Sequence, residues 1–305
     1  MRVVGQNDKR WAYGRTRIAL AGIALATLAA GCGQGAATEV RGAGQPLNAP
    51  PARALDSYAD KLRARQAARV AAARHWGLKK VPLAAPAPPA RKPAITTRKG
   101  FEVDGHRRLG LPPVFTTVPT KDKVVFLTID DGAEKDPAFL RMMHELKIPY
   151  TAFLSDYLVK EDYGYFKKMQ DLGTGLHNHT LHHPYLPGLS RERQQREICG
   201  MQRVIEKRYG ERPVLFRPPF GNYNKDTLRV AKSCGITHVP LWNEEVFADR
   251  WEYREWDREL RPGDIVLSHF RGRDEWKGSM PDMIRRFLDK VTAEGYAVGR
   301  LEDYL

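Results

Sequence analysis

The sequence lacks an apolar run long enough to cross a membrane. The uncharged apolar stretch near its N-terminus, residues 18–30, is shorter than the ~20 residues that a spanning helix needs. This stretch follows Arg15 and Arg17 and ends just before Cys32, which is the pattern of a signal peptide. No twin-arginine pair precedes this stretch, so general secretion is expected. We therefore predict that residues 1–31 are a cleaved signal peptide.

Cysteine is also scarce, with three in the whole chain. Cys32 directly follows Ala30 and Gly31, which resembles a bacterial lipobox and predicts acylation of the Cys32 thiol. The alternative is an ordinary secretory peptide with a chance cysteine. Cys199 and Cys234 then remain as an even pair in an oxidising compartment, either as a disulfide or as two buried thiols.

A net positive charge is missing from residues 121–305, the part of the chain that carries the candidate motifs. The formal net charge is +14, yet residues 121–305 hold as many acidic as basic residues. A nucleic-acid enzyme normally carries its positive field on the domain itself, so no nucleic-acid partner is expected. The basic excess lies in the Ala/Pro-rich residues 32–120, which we interpret as a tether with a helix at 54–76. An anionic membrane face or anionic wall polymers suit this tether.

Residues 121–305 alternate between strand and helix patterns, which predicts a parallel sheet with helical crossovers that can close as a barrel. The expected strands begin with the near-continuous apolar run at 124–127, typical of a strand buried on both faces, and continue at 150–154, 214–217, 238–241 and 265–268. The expected helices cover 137–146, 164–172, 192–209, 225–233 and 280–294. In such folds, catalytic groups lie at the carboxyl ends of the strands.

Two motifs at these strand ends suggest a metal centre. Asp130 and Asp131 are adjacent carboxylates whose side chains diverge, so one can bind metal while the other serves as a base. His179 and His183 are four apart, and a helical turn would place both imidazoles on one face, a spacing used for zinc. One carboxylate with two imidazoles leaves coordination open, as a catalytic site requires. The alternatives are an ordinary acidic turn and a histidine-rich exposed loop.

Two further motifs add candidate side chains. Arg217 ends an expected strand before Pro-Pro-Phe-Gly, where a guanidinium can pair with a carboxylate and hold it ionised. Leu267 and His269 share one side of a strand and Ser268 faces the other, which argues against Ser268 as a nucleophile assisted by His269. Taken alone, Arg217 reads as a structural arginine and His269 could equally be a core histidine.

The order and spacing of all four motifs resemble the polysaccharide deacetylase family, carbohydrate esterase family four, over residues 121–305. The resemblance implies a distorted (β/α) barrel of about seven strands with one divalent metal, often zinc, with cobalt or nickel as substitutes. It further implies the metal ligands Asp131, His179 and His183. Asp130 would be the general base and His269 the general acid.

The resemblance also implies residues that support the reaction. Arg217 would orient the general base, and the backbone N–H of Phe220 would help to hold the oxyanion. Trp242 and Leu267 would line the pocket for the acetyl methyl group. The expected reaction is hydrolysis of an N-acetyl group by metal-activated water, which releases acetate and a free amine.

One family motif departs from its usual form. An aspartate pattern normally tunes the acid histidine, and here either Glu245 or Asp249 would have to replace it. Loss of such a partner typically costs 10 to 100-fold in activity, so an active enzyme is still favoured. The alternatives are a degenerate homologue that only binds glycan and an O-acetyl esterase acting on xylan.

The expected substrate is an N-acetylated envelope polysaccharide, either peptidoglycan or a poly-N-acetylglucosamine or chitin-like glycan. The lipid anchor predicts a location on the outer face of the cell membrane, facing the wall, and we expect the protein to be a monomer. A secreted protein is the alternative.

Overall fold

The structure, a computed structural model, describes residues 52–305. The expected signal peptide and Cys32 lie outside the described residues. Seven α-helices are described: α1 (Ala52–His75), α2 (Pro137–Leu146), α3 (Asp156–Val159), α4 (Tyr163–Asp171), α5 (Arg191–Tyr209), α6 (Lys225–Ser233) and α7 (Met280–Ala293). Within this part of the chain, no helix is both long enough and apolar enough to span a membrane.

Nine strands accompany these helices in the same part of the chain. They are β1 (Val114–Phe115), β2 (Val124–Asp131), β3 (Thr151–Leu154), β4 (Gly175–Asn178), β5 (Val239–Pro240), β6 (Glu244–Val246), β7 (Trp251–Tyr253), β8 (Ile265–His269) and β9 (Ala297–Gly299). The predicted alternation of strand and helix is confirmed from β2 to α5, whereas β5 to β8 follow one another without an intervening α-helix.

The main sheet has seven strands in the order β4-β3-β2-β8-β6-β7, with β9 pairing with β2. All of these pairs are parallel except β6 with β7. Strand β2 lies at the centre, and all eight of its residues are buried, as its apolar run predicts. Its register with β8 places Asp130 opposite His269, so two of the predicted site residues are neighbours across the sheet.

The barrel is completed by isolated β-bridges and by a short two-stranded sheet, not by continuous strand pairing. Strands β1 and β5 form a separate two-stranded sheet. Single bridges connect it and the 214–217 segment to the main sheet, at Asn178 with Phe216, Leu215 with His238, and Thr117 with Asp264. The fold is therefore the predicted α/β distorted barrel, closed on one side by isolated bridges.

The predicted strand at 214–217 is not a regular strand. Leu215 and Phe216 each make one isolated bridge, and no strand is assigned there. Pro213 and Pro218 flank this segment, and proline lacks the backbone N–H that a ladder needs. An apolar run between two prolines therefore takes an extended path without forming a full ladder.

The helices begin and end where local capping groups occur. The side chain of Asp136 accepts a hydrogen bond from the N–H of Ala138 and Pro137 occupies the first turn, so α2 begins as predicted. Asn224 forms a capping box at the start of α6. Gly210 ends α5 with a left-handed backbone.

Packing extends upstream of the expected domain start at residue 121. Leu111, Val114, Phe115 and Val118 are buried, and β1 pairs with β5. Residues 63–305 belong to one compact unit, and residues 52–62 to a second. The last part of the predicted tether therefore contributes to the core of the larger unit, and the predicted helix at 54–76 is observed as α1.

Cys199 in α5 and Cys234 at the end of α6 form a disulfide, with 5.2 Å between their Cα atoms. This bond joins two adjacent helices on the same side of the barrel. It decides between the two alternatives that the sequence left open.

Candidate active site

Three side chains converge at the carboxyl edge of the central strands. Asp131 ends β2, and His179 and His183 follow β4. The Oδ1 atom of Asp131 lies 3.6 Å from Nε2 of His179 and 3.5 Å from Nε2 of His183. One ligand atom from each of these residues lies within 4.8 Å of the other two. The three predicted metal ligands are therefore assembled in one place.

The two imidazoles converge by a different route from the predicted helical turn. Residues 179–183 are not helical, and Thr180 and His183 have positive φ angles of 74° and 55°. The N–H of His183 donates to Oγ1 of Thr180 at 3.0 Å, and the N–H of Thr180 donates to the side chain of Asn178 at 2.9 Å. This tight turn, rather than helical spacing, brings the two rings together, with centroids 4.8 Å apart.

Hydrogen bonding leaves the ligand atoms free to bind a cation. Nδ1 of His179 lies 2.6 Å from the carbonyl oxygen of Arg217, so it is the protonated nitrogen and Nε2 faces the site. Oδ1 of Asp131 is buried and has no hydrogen-bond partner. A buried carboxylate oxygen without a partner is costly unless a cation neutralises it. The donor set therefore fits a divalent metal with imidazole and carboxylate ligands.

The protonation states of the ligands agree with this fit. Burial first, and then the nearby His179, lower the pKa of His183 to about 4, so the ring is neutral at physiological pH. Burial raises the pKa of Asp131, but the surrounding histidines, with His179 first, together with Arg271 reverse this, and the pKa lies below its usual value. Neutral imidazole and ionised carboxylate are the forms that bind metal.

The second carboxylate, Asp130, is held by the predicted arginine. Nη1 of Arg217 donates to Oδ1 of Asp130 at 2.8 Å and to Oγ1 of Thr128 at 2.9 Å. The other guanidinium nitrogens donate to the carbonyls of Pro240 and Leu241. Arg217 is completely buried. Its guanidinium fixes Oδ1 of Asp130, and the other oxygen, Oδ2, lies 3.6 Å from Nε2 of His179.

His269 lies at the end of β8, and Glu245 is its carboxylate partner. Oε1 of Glu245 is 3.2 Å from Nδ1 of His269. Burial lowers the pKa of His269, but the hydrogen bond with Glu245 and the two aspartates raise it above the usual value. Asp249 instead pairs with Arg250 and Lys277. Of the two candidates for the altered acidic motif, the structure places Glu245 against the histidine.

The three predicted substrate-contacting residues lie in different environments. Phe220 has a positive φ of 60°, is 60% exposed, and its ring contacts that of His183 at 4.6 Å. Trp242 packs on Gly221, where an added Cβ would lie 3.1 Å from the indole. Leu267 is fully buried in β8. Their roles toward an acetyl group and an oxyanion stay predictions.

One charged residue at the site was not predicted from the sequence. Nη2 of Arg271 donates to Oδ2 of Asp131 at 2.6 Å. Arg271 follows the His269 motif by two residues, and a basic residue just after a strand-end motif was the only available signal.

Known proteins that resemble this chain include polysaccharide deacetylases. The sequence profile named Polysaccharide deacetylase matches residues 117–239. An uncharacterized protein of Streptomyces coelicolor is 41% identical over 220 residues, covering 72% of this chain and 87% of that protein. A peptidoglycan-N-acetylglucosamine deacetylase of Bacillus cereus is 27% identical over 188 residues, covering 59% of this chain and 86% of that protein.

A solved family 4 carbohydrate esterase from Bacillus anthracis shares the fold. Its TM-score is 0.54 at 25% identity, covering 70% of this chain and 95% of that one. The chain carries a polysaccharide deacetylase domain at residues 117–239. It is accordingly a hydrolase of the class that cleaves N-acetyl amide bonds in polysaccharides.

Proposed function

We propose that this enzyme removes N-acetyl groups from a cell-wall glycan of the peptidoglycan type, outside the cytoplasm, with one divalent metal. The observation that carries the proposal is the position of two supported proton-transfer groups beside the Asp131, His179 and His183 cluster. Asp130 is held by an arginine and His269 by a glutamate. A protein that only bound glycan would have no need for both groups.

Asp131, His179 and His183 would hold the metal, which when bound lowers the pKa of a water molecule and polarises the amide carbonyl. Zinc is the metal that we propose, because two imidazoles and one carboxylate are a common zinc ligand set. The hydrogen bond from His179 to the Arg217 carbonyl orients that imidazole.

The chain's own residues supply the proton transfers. The Arg217 guanidinium binds Oδ1 of Asp130, so Oδ2 is available to accept a proton from the attacking water. His269 donates a proton to the departing amine nitrogen, which would otherwise leave as an unstable anion. The Glu245 carboxylate favours the protonated form of His269 and fixes its ring. The backbone N–H of Phe220, a residue with a positive φ of 60°, would help to hold the developing oxyanion.

Peptidoglycan is favoured as substrate because the Bacillus cereus relative carries that activity in its name. An extracytoplasmic location is supported by the disulfide between Cys199 and Cys234, since disulfides persist in oxidising compartments.

The proposed lipid anchor at Cys32 would hold the enzyme at the membrane. A Cys32→Ala protein should then move from the detergent phase to the aqueous phase on extraction, and an unchanged partition would exclude the anchor.

Acetate release from peptidoglycan and from N-acetylglucosamine oligomers tests the activity. The zinc-loaded chain should release acetate, and Asp130→Asn and His269→Ala should lower kcat by ~10²–10⁴-fold each. Glu252→Gln, an exposed carboxylate on β7, is the matched control and should retain full activity. No release from N-acetylated glycans, together with release from O-acetylated xylan, would replace the amidase with the esterase alternative.

A further inference from the structure

Asp130 and Asp131 are adjacent carboxylates, and each has its own arginine. Their side chains are both 3% exposed, so two neighbouring negative charges are withdrawn from water. Arg217 holds Asp130 at 2.8 Å, and Arg271 holds Asp131 at 2.6 Å. Each arginine binds one oxygen of its carboxylate, Oδ1 of Asp130 or Oδ2 of Asp131, and leaves the other oxygen outside the ion pair. The two carboxylates can therefore have different roles.

Arg271 contacts the oxygen of Asp131 that does not face the histidines. Its Nη2 donates to Oδ2, while Oδ1 is the atom 3.6 Å from His179 and 3.5 Å from His183. A charge-assisted hydrogen bond to one carboxylate oxygen restricts rotation of the whole group. Oδ1 is thereby directed at the two imidazoles, although it has no hydrogen-bond partner of its own.

The arginine itself is fixed at both ends. Phe270, the preceding residue, is fully buried in the core, and its N–H donates to the Asp130 carbonyl at 3.0 Å. At the other end, Nη1 of Arg271 lies 2.9 Å from a carboxylate oxygen of Glu275. The guanidinium is therefore bound between Asp131 and Glu275, and the Arg271 side chain is 25% exposed, unlike a free surface arginine.

We propose that Arg271 is a positioning residue that orients Asp131 for metal binding, with Glu275 restricting the guanidinium. The inference rests on the proposed function in so far as it assumes that Asp131 is a metal ligand. Groups that orient a metal-binding side chain typically change metal affinity by 10 to 100-fold. Arg271 should have an effect of this size, without contacting the glycan.

Zinc affinity of the full chain, measured by competition with a chromophoric chelator, tests this role. Arg271→Met should weaken zinc binding ~10–100-fold, and Arg271→Lys should recover part of the loss, because lysine keeps a donor but not the fork. Arg273→Met is the matched control: Arg273 is 74% exposed, pairs with Asp282 at 3.4 Å, and should leave affinity unchanged. Circular dichroism of the metal-free variants checks that each is folded.

Equal or tighter zinc binding by Arg271→Met would overturn the inference. A raised KM for glycan at unchanged zinc affinity would also overturn it, because Arg271 would then contact substrate. The titration needs no substrate, so it separates this inference from the proposed function. A wild-type chain that binds zinc but releases no acetate would refute the deacetylase, whereas weaker binding by Arg271→Met would still support the positioning role. A wild-type chain that binds no zinc would refute both.

Discussion

Glu244 is a buried carboxyl group that should make the stability of the protein fall as pH rises. It is 2% exposed in β6, and its Oε2 atom has no hydrogen-bond partner. Burial first, and then the nearby and fully buried Asp264, raise the pKa of Glu244 to about 10. In the folded protein Glu244 is therefore protonated at neutral pH.

The direction of the effect follows from comparing the folded and unfolded states. In the unfolded chain Glu244 ionises near its ordinary value of 4.5, whereas in the folded chain it keeps its proton up to about 10. Between these values the unfolded state releases a proton that the folded state retains, so rising pH favours unfolding. The stability contribution is complete below the unfolded pKa and is lost toward the folded pKa. One pKa unit corresponds to about 1.4 kcal/mol, so about 3 kcal/mol should be lost between about pH 5.5 and pH 7.5.

Glu244→Gln isolates this contribution because the amide has a similar shape and does not ionise. Urea unfolding of both proteins at several pH values in this window should show the variant gaining stability relative to wild type by about 1 kcal/mol or more per pH unit. Glu252→Gln, on the exposed face of the neighbouring strand β7, should leave the pH dependence unchanged. Parallel curves for wild type and Glu244→Gln would refute the reasoning, since they would mean that Glu244 is ionised in the folded protein.

Three further predictions concern the site and its support. Glu245→Gln should move the alkaline limb of kcat/KM to lower pH in a pH–rate profile. Burial lowers the pKa of His269 and Glu245 raises it, so removal of the carboxylate should lower that pKa. An unshifted limb would argue against His269 as the acid. Gly132→Ala should lower the free energy of unfolding by more than about 1 kcal/mol in thermal denaturation, because its φ is 101° and a Cβ would lie 2.4 Å from a valine methyl carbon. Replacing Cys199 and Cys234 together by alanine should cost about 2–4 kcal/mol in urea unfolding, and an unchanged midpoint would count against the bond.

The elements that sequence reasoning predicted well have strong local signals. Helices α2 and α6 match their predicted bounds because a capping side chain and a following apolar face mark each start. The candidate site was also predictable, because parallel strands bring their carboxyl ends to one edge. Asp130 and Asp131 end β2, and His269 ends the adjacent β8, so motifs far apart in sequence meet there.

The remaining features depend on tertiary contacts that no local pattern encodes. Residues 111–118 lack a clear period, and their burial depends on pairing with β5, more than 100 residues later. The choice of Glu245 over Asp249 depends on which strand lies beside β8. Arg271 could not be paired with Asp131 from sequence because 140 residues separate them.

The closure of the barrel by single bridges has a consequence for how inactive homologues should be interpreted. The segment that carries Arg217 makes only isolated bridges to its neighbours, and the guanidinium adds bonds to Thr128 of β2 and to the carbonyls of Pro240 and Leu241. The side chain that we propose to orient the base thus also bonds to neighbouring segments where the barrel is closed by isolated bridges. A relative that lacked Asp130 could still form the bonds from this arginine to Thr128 and to the two carbonyls. The presence of this arginine in a relative therefore indicates the same fold. Whether that relative is active must be inferred from the presence of the carboxylate at the position of Asp130.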